Sequence, residues 1–238
     1  MNKLLLLLFI SFAFIGSTNA DIIKTNIAEL KKTEFCKNCN LRKANLNGVS
    51  IDAVNLIGAD LTNASLVNAR LQLGYLKEAI FNFADLTGAN LNYADLNNSS
   101  FISANLTDAN LSKVSLIGAN LRGANLYLAD LVGSDLSKAN LSSADLTNSY
   151  FTNAILNQAN LYRANLNKTL INYADLRGVD LRWAKLIEAD LSESDLSGAD
   201  LRNADFSNAK MTRTNLTNAI FCGTKLPNGS IKNSDCPW

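Results

Sequence analysis

The segment GANLRGANLYLADL, residues 118–131, places a leucine at every fifth position: Leu121, Leu126 and Leu131. An alanine stands two positions before each leucine, and an asparagine or aspartate lies between them. The same pattern continues without interruption over residues 41–226, where every fifth residue is apolar. A period of five belongs to neither of the two regular secondary structures, so the fold has to account for it.

Both regular structures would scatter this apolar set. On an α-helix, a step of five residues rotates the side chain by about 140°, so the leucines would wind around the whole surface. On a β-strand, an odd step sends successive leucines to opposite faces. The leucines stay on one side only if the chain turns once per five residues around an interior that holds the leucine and the preceding small residue. Asn, Asp, Ser and Gly at the other positions suit such turns, and single coils of this kind are stable only when stacked.

The repeat resembles that of the pentapeptide repeat family, which reads A(D/N)LXX, as in Ala119-Asn120-Leu121 and Ala199-Asp200-Leu201. The resemblance covers residues 36–226. It implies an all-β fold, a right-handed quadrilateral parallel β-helix with four pentads per coil. Residues twenty positions apart then share a face, and coils about 4.8 Å apart would build a rod roughly 45 Å long.

Residues 1–20, MNKLLLLLFISFAFIGSTNA, have the pattern of a secretory signal peptide. A basic Lys3 precedes an apolar run at 4–15, and small residues lead to a cleavage position after Ala20. The run is shorter than the ~20 residues that a membrane-spanning helix needs. We therefore expect export without a stable membrane anchor, to the periplasm, the thylakoid lumen or the medium.

The two ends of the solenoid need covers, since open β-edges promote aggregation. Residues 21–35 are predicted to form an N-terminal cap, with a helix start at Asn26 and Glu29 three positions later. Residues 227–238 are predicted to form a C-terminal cap that turns at Asn228-Gly229.

All four cysteines lie near these ends: Cys36, Cys39, Cys222 and Cys236. The rod separates the two pairs by tens of ångströms, which argues against one shared zinc site. In an exported protein, local disulfides Cys36–Cys39 and Cys222–Cys236 are predicted, and cysteine-bearing ends also occur in exported members of the family that the repeat resembles. The alternative is that the cysteines are small buried apolar residues in register with the repeat.

The composition favours no catalytic, cofactor-binding or metal-binding site. The chain has no histidine, which removes the commonest general base and metal ligand. Its aspartates occupy the Asn/Asp position of the repeat, where turn formation explains them. The 22 basic and 21 acidic side chains balance, so no nucleic-acid partner is expected.

Departures from the repeat are the candidate partner-binding residues. Large apolar side chains replace polar ones at outward or turn positions, and such patches often mark protein contacts. Phe83 and Ile80 are expected one coil below Ile102, and Leu73 one coil below Tyr93. These side chains could instead fold over corners or be neutral variation. The candidates are Leu73, Tyr75, Ile80, Phe83, Tyr93, Ile102, Tyr150, Leu170 and Tyr173.

Two functional hypotheses follow. The first is an exported, non-enzymatic scaffold or binding module for a protein partner. The alternative comes from the resemblance, because some family members mimic DNA and modulate DNA gyrase. Those members are strongly acidic, whereas here only residues 175–205 are locally acidic.

Overall fold

The computed structural model describes residues 19–236. The elements are helix α1 (Asn19–Thr33) and strands β1 (Thr224–Lys225) and β2 (Ile231–Lys232). The predicted signal peptide therefore lies outside the described residues, apart from its last two positions, and its cleavage stays a prediction. None of the helical structure within residues 19–236 has the length and apolar character needed to cross a bilayer.

Between α1 and the final hairpin the chain forms parallel bridges that each join residues twenty positions apart, from Phe35↔Asn55 to Asp205↔Lys225. The Leu46 N–H donates to the Ser65 carbonyl at 2.7 Å, and the Ser65 N–H donates to the Ala44 carbonyl at 2.9 Å. Four pentads therefore complete one coil. The predicted right-handed quadrilateral parallel β-helix is confirmed.

Each pentad turns the chain in the same way. The residue two positions after the central leucine is left-handed, with φ between 54° and 68° at every such position from Lys43 to Asn218. The following residue donates its N–H back to the leucine carbonyl, as Ala124 does to Leu121 at 3.0 Å. We call the place of the residue two positions after the central leucine the left-handed position. Glycine and asparagine adopt this conformation most readily, whereas bulky side chains do so at a cost.

The interior holds the central residues and the small residues two before them. Leu121, Leu126 and Leu131 are fully buried, and the Phe81 and Phe101 rings stack in successive coils with centroids 4.7 Å apart. Where a serine replaces the inner alanine, its hydroxyl bonds a backbone carbonyl within the core; an example is Ser134, which donates to Leu131 at 2.6 Å. The core thus has no buried side-chain N or O atom without a partner among residues 19–236.

The Asn/Asp position is explained by backbone hydrogen bonding. The Asp60 carboxylate accepts the N–H of Thr62 at 2.9 Å, and the same bond recurs along the rod. Where serine occupies the position, the coil below compensates: Asn82 accepts both the Ser100 hydroxyl at 2.7 Å and the Ile102 N–H at 2.9 Å. These aspartates are therefore part of the repeat, as the sequence predicted.

Helix α1 covers the first coil. Its Leu30 is buried, and Ile23 and Ile27 pack against the core. The prediction of a helix start at Asn26 was wrong, because α1 begins at Asn19 and Asn26 lies inside it. The Asn26 side chain faces the solenoid instead, donating to the Asn40 carbonyl at 2.8 Å.

The C-terminal tail covers part of the last coil. Strands β1 and β2 pair antiparallel, and the chain reverses around Asn228-Gly229. The tail's Asp235 carboxylate accepts the Phe221 N–H at 2.9 Å. Met211 and Leu216, central residues of the same coil, remain half-buried.

The cysteines at both ends are close enough to bond. The Cα atoms of Cys36 and Cys39 are 5.5 Å apart, and those of Cys222 and Cys236 are 4.8 Å apart, within the range that a disulfide spans. The oxidised state of both pairs in the native protein stays a prediction, tested below by mass.

Candidate interaction surface

Four faces run the length of the rod. We number them by their first central residues: face 1 from Leu41, face 2 from Leu46, face 3 from Ile51 and face 4 from Leu56, each continuing every twenty residues. The left-handed positions form the corners between successive faces. Face 3 lies opposite face 1, and corner 1/2 lies diagonally opposite corner 3/4.

The predicted partner-binding residues are divided among three faces. Tyr75 lies on face 4, and Ile80, Phe83 and Ile102 belong to face 1 or its corner with face 2. Of these four, Tyr75 and Phe83 are exposed, while Ile80 and Ile102 are half-buried. The remaining five share face 3 and corner 3/4: Leu73, Tyr93, Tyr150, Leu170 and Tyr173.

Face 3 is therefore the candidate interaction surface. Tyr150 and Leu170 are bridge partners in successive coils, and both are exposed. At corner 3/4, Tyr93 stands directly above Leu73, and its hydroxyl accepts a hydrogen bond from Lys113 at 2.8 Å. Tyr173 lies higher on the same corner. We call these residues the apolar track: two clusters on one side of the rod, separated by two coils that carry polar residues such as Asn110, Lys113 and Asp130.

The corner residues of this track are costly for folding. Leu73, Tyr93 and Tyr173 are left-handed, with φ of 58° to 59°, and remain 55%, 50% and 57% exposed. A left-handed L-residue costs roughly 1–2 kcal/mol. Exposure means that little apolar burial offsets this cost. Every pentad has a residue in this conformation, so the fold itself imposes the cost, and what sets these three positions apart is the exposed apolar side chain that occupies them.

Two left-handed residues were missed by the sequence interpretation. Trp183 on corner 1/2 has φ of 62° and is 54% exposed, and Leu128 occupies corner 2/3. The rule that selected Leu73 and Phe83, a large apolar residue at a turn position, applies to both. They could have been found by scanning that position along the whole repeat.

A shallow groove of about 400 Å³ adjoins face 3 at corner 2/3. Leu128, Val132 and Tyr150 form its apolar wall, and Asp108 and Asp130 lie beside them. The groove extends the apolar track sideways. No group of three or more His, Cys, Asp or Glu side chains within residues 19–236 is arranged to hold a metal ion.

Three of the eight acidic residues in segment 175–205 are paired with arginines of the same segment. Three Asp-Leu-Arg triplets occur there, and in the first the Arg177 guanidinium donates to both carboxylate oxygens of Asp175 at 2.8 and 2.7 Å. This contact lowers the pKa of Asp175 below its usual range. Arg182 and Arg202 bind Asp180 and Asp200 in the same bidentate manner.

Stability is expected to fall only in acid. Partial burial alone would raise the pKa of four further carboxyls. Hydrogen bonds within the turn and nearby cations outweigh burial, so the pKa of each of these carboxyls is lowered. A folded pKa below the unfolded value of about 3.9 means that protons bind the unfolded state more tightly. The melting temperature should stay level from pH 8 to 5, where no histidine titrates, and drop below about pH 4. Circular-dichroism melts would check this, and a drop between pH 8 and 6 would contradict it. The four are Asp60, Asp190, Asp200 and Asp205.

Replacing Tyr173 with asparagine is expected to raise the free energy of unfolding by about 0.5–1 kcal/mol, because asparagine tolerates the left-handed conformation. Asn153, one coil below on the same corner, already adopts it with φ of 60°. Denaturant unfolding of Tyr173→Asn measures the gain. Tyr127→Asn is the matched control, since Tyr127 is not left-handed. A loss of stability in Tyr173→Asn would show that the ring stabilises the folded state.

The protein is thus a β-solenoid whose interior is filled by side chains, with four flat faces and the apolar track on one side. The family model for pentapeptide repeats matches the chain at residues 36–73, 79–116, 104–142, 144–182, 174–213, 184–223 and 199–235. The chain belongs to the pentapeptide repeat family, as its repeat indicated.

Solved structures include similar proteins. HetL, a pentapeptide repeat protein involved in heterocyst differentiation regulation from the cyanobacterium Nostoc sp. strain PCC 7120, is 31% identical over 91% of this chain and 100% of its own, with a TM-score of 0.43. A pentapeptide repeat protein of the Arabidopsis thaliana thylakoid lumen is 28% identical over 45% of this chain and 71% of its own, with a TM-score of 0.34. QnrB1, a plasmid-mediated fluoroquinolone resistance protein, is 17% identical over 78% of this chain and 87% of its own, with a TM-score of 0.38. No curated protein matches the chain.

Proposed function

We propose that the protein is an exported, non-enzymatic scaffold that binds a protein partner through face 3. The observation that carries the proposal is the set of exposed, left-handed apolar residues on corner 3/4: Leu73, Tyr93 and Tyr173. A partner that covers them would recover burial free energy of about 25 cal/mol per Å² of apolar surface, which folding alone leaves unused.

The surrounding chemistry suits a protein surface. Tyrosine combines a large apolar ring with a hydroxyl that bonds at an interface rim, and it is enriched among residues that dominate binding energy. Tyr93, Tyr150 and Tyr173 supply three such side chains on a rigid support. A rigid face loses little conformational entropy on binding, so its contacts convert more fully into affinity.

Site-specific photocrosslinking tests this surface. The mature protein would carry p-benzoylphenylalanine in place of Tyr93 or Tyr173, and in place of Gln158 as a control. Gln158 occupies the same left-handed position on corner 4/1. We expect Tyr93 and Tyr173 to yield the same crosslinked protein, identified by mass spectrometry, and Gln158 to yield none. Equal crosslinking from Gln158, or none from either tyrosine, would overturn the assignment.

Export rests on the leader-like residues 1–20 and on two cysteine pairs at bonding distance, since disulfides persist outside the cytoplasm. The intact mass of the native, unreduced protein from periplasmic and cytoplasmic fractions tests it. A chain that begins at Asp21 and carries two disulfides is expected in the exported fraction. A full-length, reduced chain in the cytoplasm would contradict export.

The gyrase alternative is weakened by the ion pairs on faces 1 and 4. A DNA mimic presents unpaired negative charge, whereas Asp175, Asp180 and Asp200 are each bound by an arginine within their own pentad. We expect the mature protein to leave gyrase supercoiling unchanged. Inhibition or protection of gyrase at a stoichiometric concentration would restore this alternative.

A further inference from the structure

We propose a second binding surface, on corner 1/2, that takes an acidic segment of a protein. Its centre is Trp183, which lies diagonally across the rod from the track on face 3. The indole is 54% exposed on a left-handed backbone with φ of 62°, and its N–H donates to no group within residues 19–236. The largest apolar side chain of the repeat therefore stands in solvent at a position where it costs folding energy.

Two cations frame the indole. Arg163 occupies the same corner one coil below Trp183, where its N–H bonds the carbonyl of Arg182 at 3.0 Å. Lys185 follows Trp183 by two residues on face 2 and is exposed. Neither cation forms an ion pair with any residue in the described part of the chain.

An aromatic platform holds the arginines of this corner. The guanidinium of Arg163 lies 5.1 Å from the centre of the Tyr162 ring, and that of Arg182 lies 5.5 Å from it. Arg182 is also fixed by Asp180 at 2.7 Å and lies 3.6 Å from Asp200. Such cation–π contacts orient a guanidinium while leaving its N–H groups free for a carboxylate.

Most neighbouring charges are paired, and Arg163 and Lys185 outnumber Asp145, a face-2 carboxylate two coils below Lys185 that has no ion-pair partner among residues 19–236, so the surface is positive. Arg182 and Arg202 neutralise Asp180 and Asp200 on face 1. Asp205, the bridge partner of Lys185 in the coil above, is paired with Lys225 at 3.7 Å. Glu188, on the corner of face 2 with face 3, is paired with Lys168 at 3.8 Å.

Charge complementarity therefore selects an anionic occupant, and the exposed indole adds a contact for an apolar side chain. Carboxylates match the fork of the Arg163 guanidinium, and Lys185 supplies a point charge for a second one. Two cations are too few for the phosphate contacts that dominate nucleic-acid affinity. The occupant is accordingly a peptide segment with glutamate or aspartate around an apolar residue.

This surface goes beyond the proposed function, because it would let one rod hold two proteins at once. Corner 1/2 and face 3 point in different directions, so a partner on one leaves the other open. The two surfaces are tested separately, by different probes, and either can fail alone.

The test uses the fluorescence of Trp183. The chain has two tryptophans, so Trp238→Phe leaves Trp183 as the only reporter. We would titrate the mature Trp238→Phe protein with the peptide Glu-Glu-Leu-Glu-Glu-Leu. We expect a saturable shift of emission to shorter wavelength, and a binding constant that weakens several-fold between 50 and 300 mM salt, since screening acts on exposed charges.

Variants and matched probes decide the outcome. The double change Arg163→Glu with Lys185→Glu should weaken binding by about tenfold or more, because it opposes like charges. Lys138→Glu on corner 4/1 alters charge on the same type of turn and should leave binding unchanged. Circular dichroism confirms that each variant is folded, and Lys185→Gln serves as a milder change.

Three results would overturn the proposal. One is the absence of a saturable shift in the presence of the acidic peptide. Another is equal binding of the peptide Gln-Gln-Leu-Gln-Gln-Leu, which would leave charge without a role. The third is tighter binding of a twelve-nucleotide oligothymidine, which would assign the surface to nucleic acid instead.

Discussion

Replacing Phe101 with alanine is expected to lower the free energy of unfolding by about 3–5 kcal/mol. Phe101 is fully buried, and its ring stacks on Phe81 at 4.7 Å with an interplanar angle of 5°. The substitution removes the ring and leaves a cavity that the stacked coils cannot close, because backbone hydrogen bonds fix their spacing. Denaturant unfolding followed by circular dichroism measures the loss.

The matched control is Ile102→Ala in the same coil. Ile102 points outward and is only half-buried, so its truncation should cost much less. Similar losses for the two variants would contradict the assignment of central residues to the core.

Deletions of different length are expected to have opposite effects. Removing Gly123 alone leaves a four-residue turn, which cannot place both the alanine and the leucine inside. We expect it to disrupt the coils around the deletion and to lower the melting temperature sharply. Removing residues 122–126 or 107–126 keeps every later residue in its pentad position, and stacked coils tolerate a change of number. Both of these variants should keep their β-structure by circular dichroism.

The two longer deletions differ in what they do to the surface. Without residues 122–126, Tyr150, Leu170 and Tyr173 move to face 2, while Leu73 and Tyr93 stay on face 3. Without residues 107–126, one whole coil is lost and all five remain aligned. Photocrosslinking from Tyr93 should therefore weaken in the first variant and persist in the second. Equal crosslinking in both would show that the upper and lower parts of face 3 do not act together.

The proposed surfaces share one physical feature, namely large apolar residues at left-handed positions. Tyr173→Asn should stabilise the rod and weaken crosslinking on face 3, whereas Trp183→Asn should stabilise it and remove the reporter site on corner 1/2. A gain in stability that accompanies a loss of binding is the expected sign of residues retained for function.

The sequence by itself determined the fold. A period of five with a buried leucine and a preceding small residue is compatible with a chain that turns once per pentad, and the uninterrupted run left room for no inserted domain. It also placed the turn residues, because Gly and Asn recur where φ is positive. Local conformational preference and burial act within a single pentad, so one sequence suffices to read them.

The tertiary structure decided which residues meet. The shared corner of Leu73 and Tyr173 follows from the twenty-residue coil that the resemblance implied, whereas the exposure of both side chains is seen only in the structure. Asn82 supplies the acceptor that Ser100 lacks through a bond between coils, and Asn26 faces the first coil instead of starting its helix. Contacts of this kind depend on stacking between distant segments, and local pattern carries no information about them.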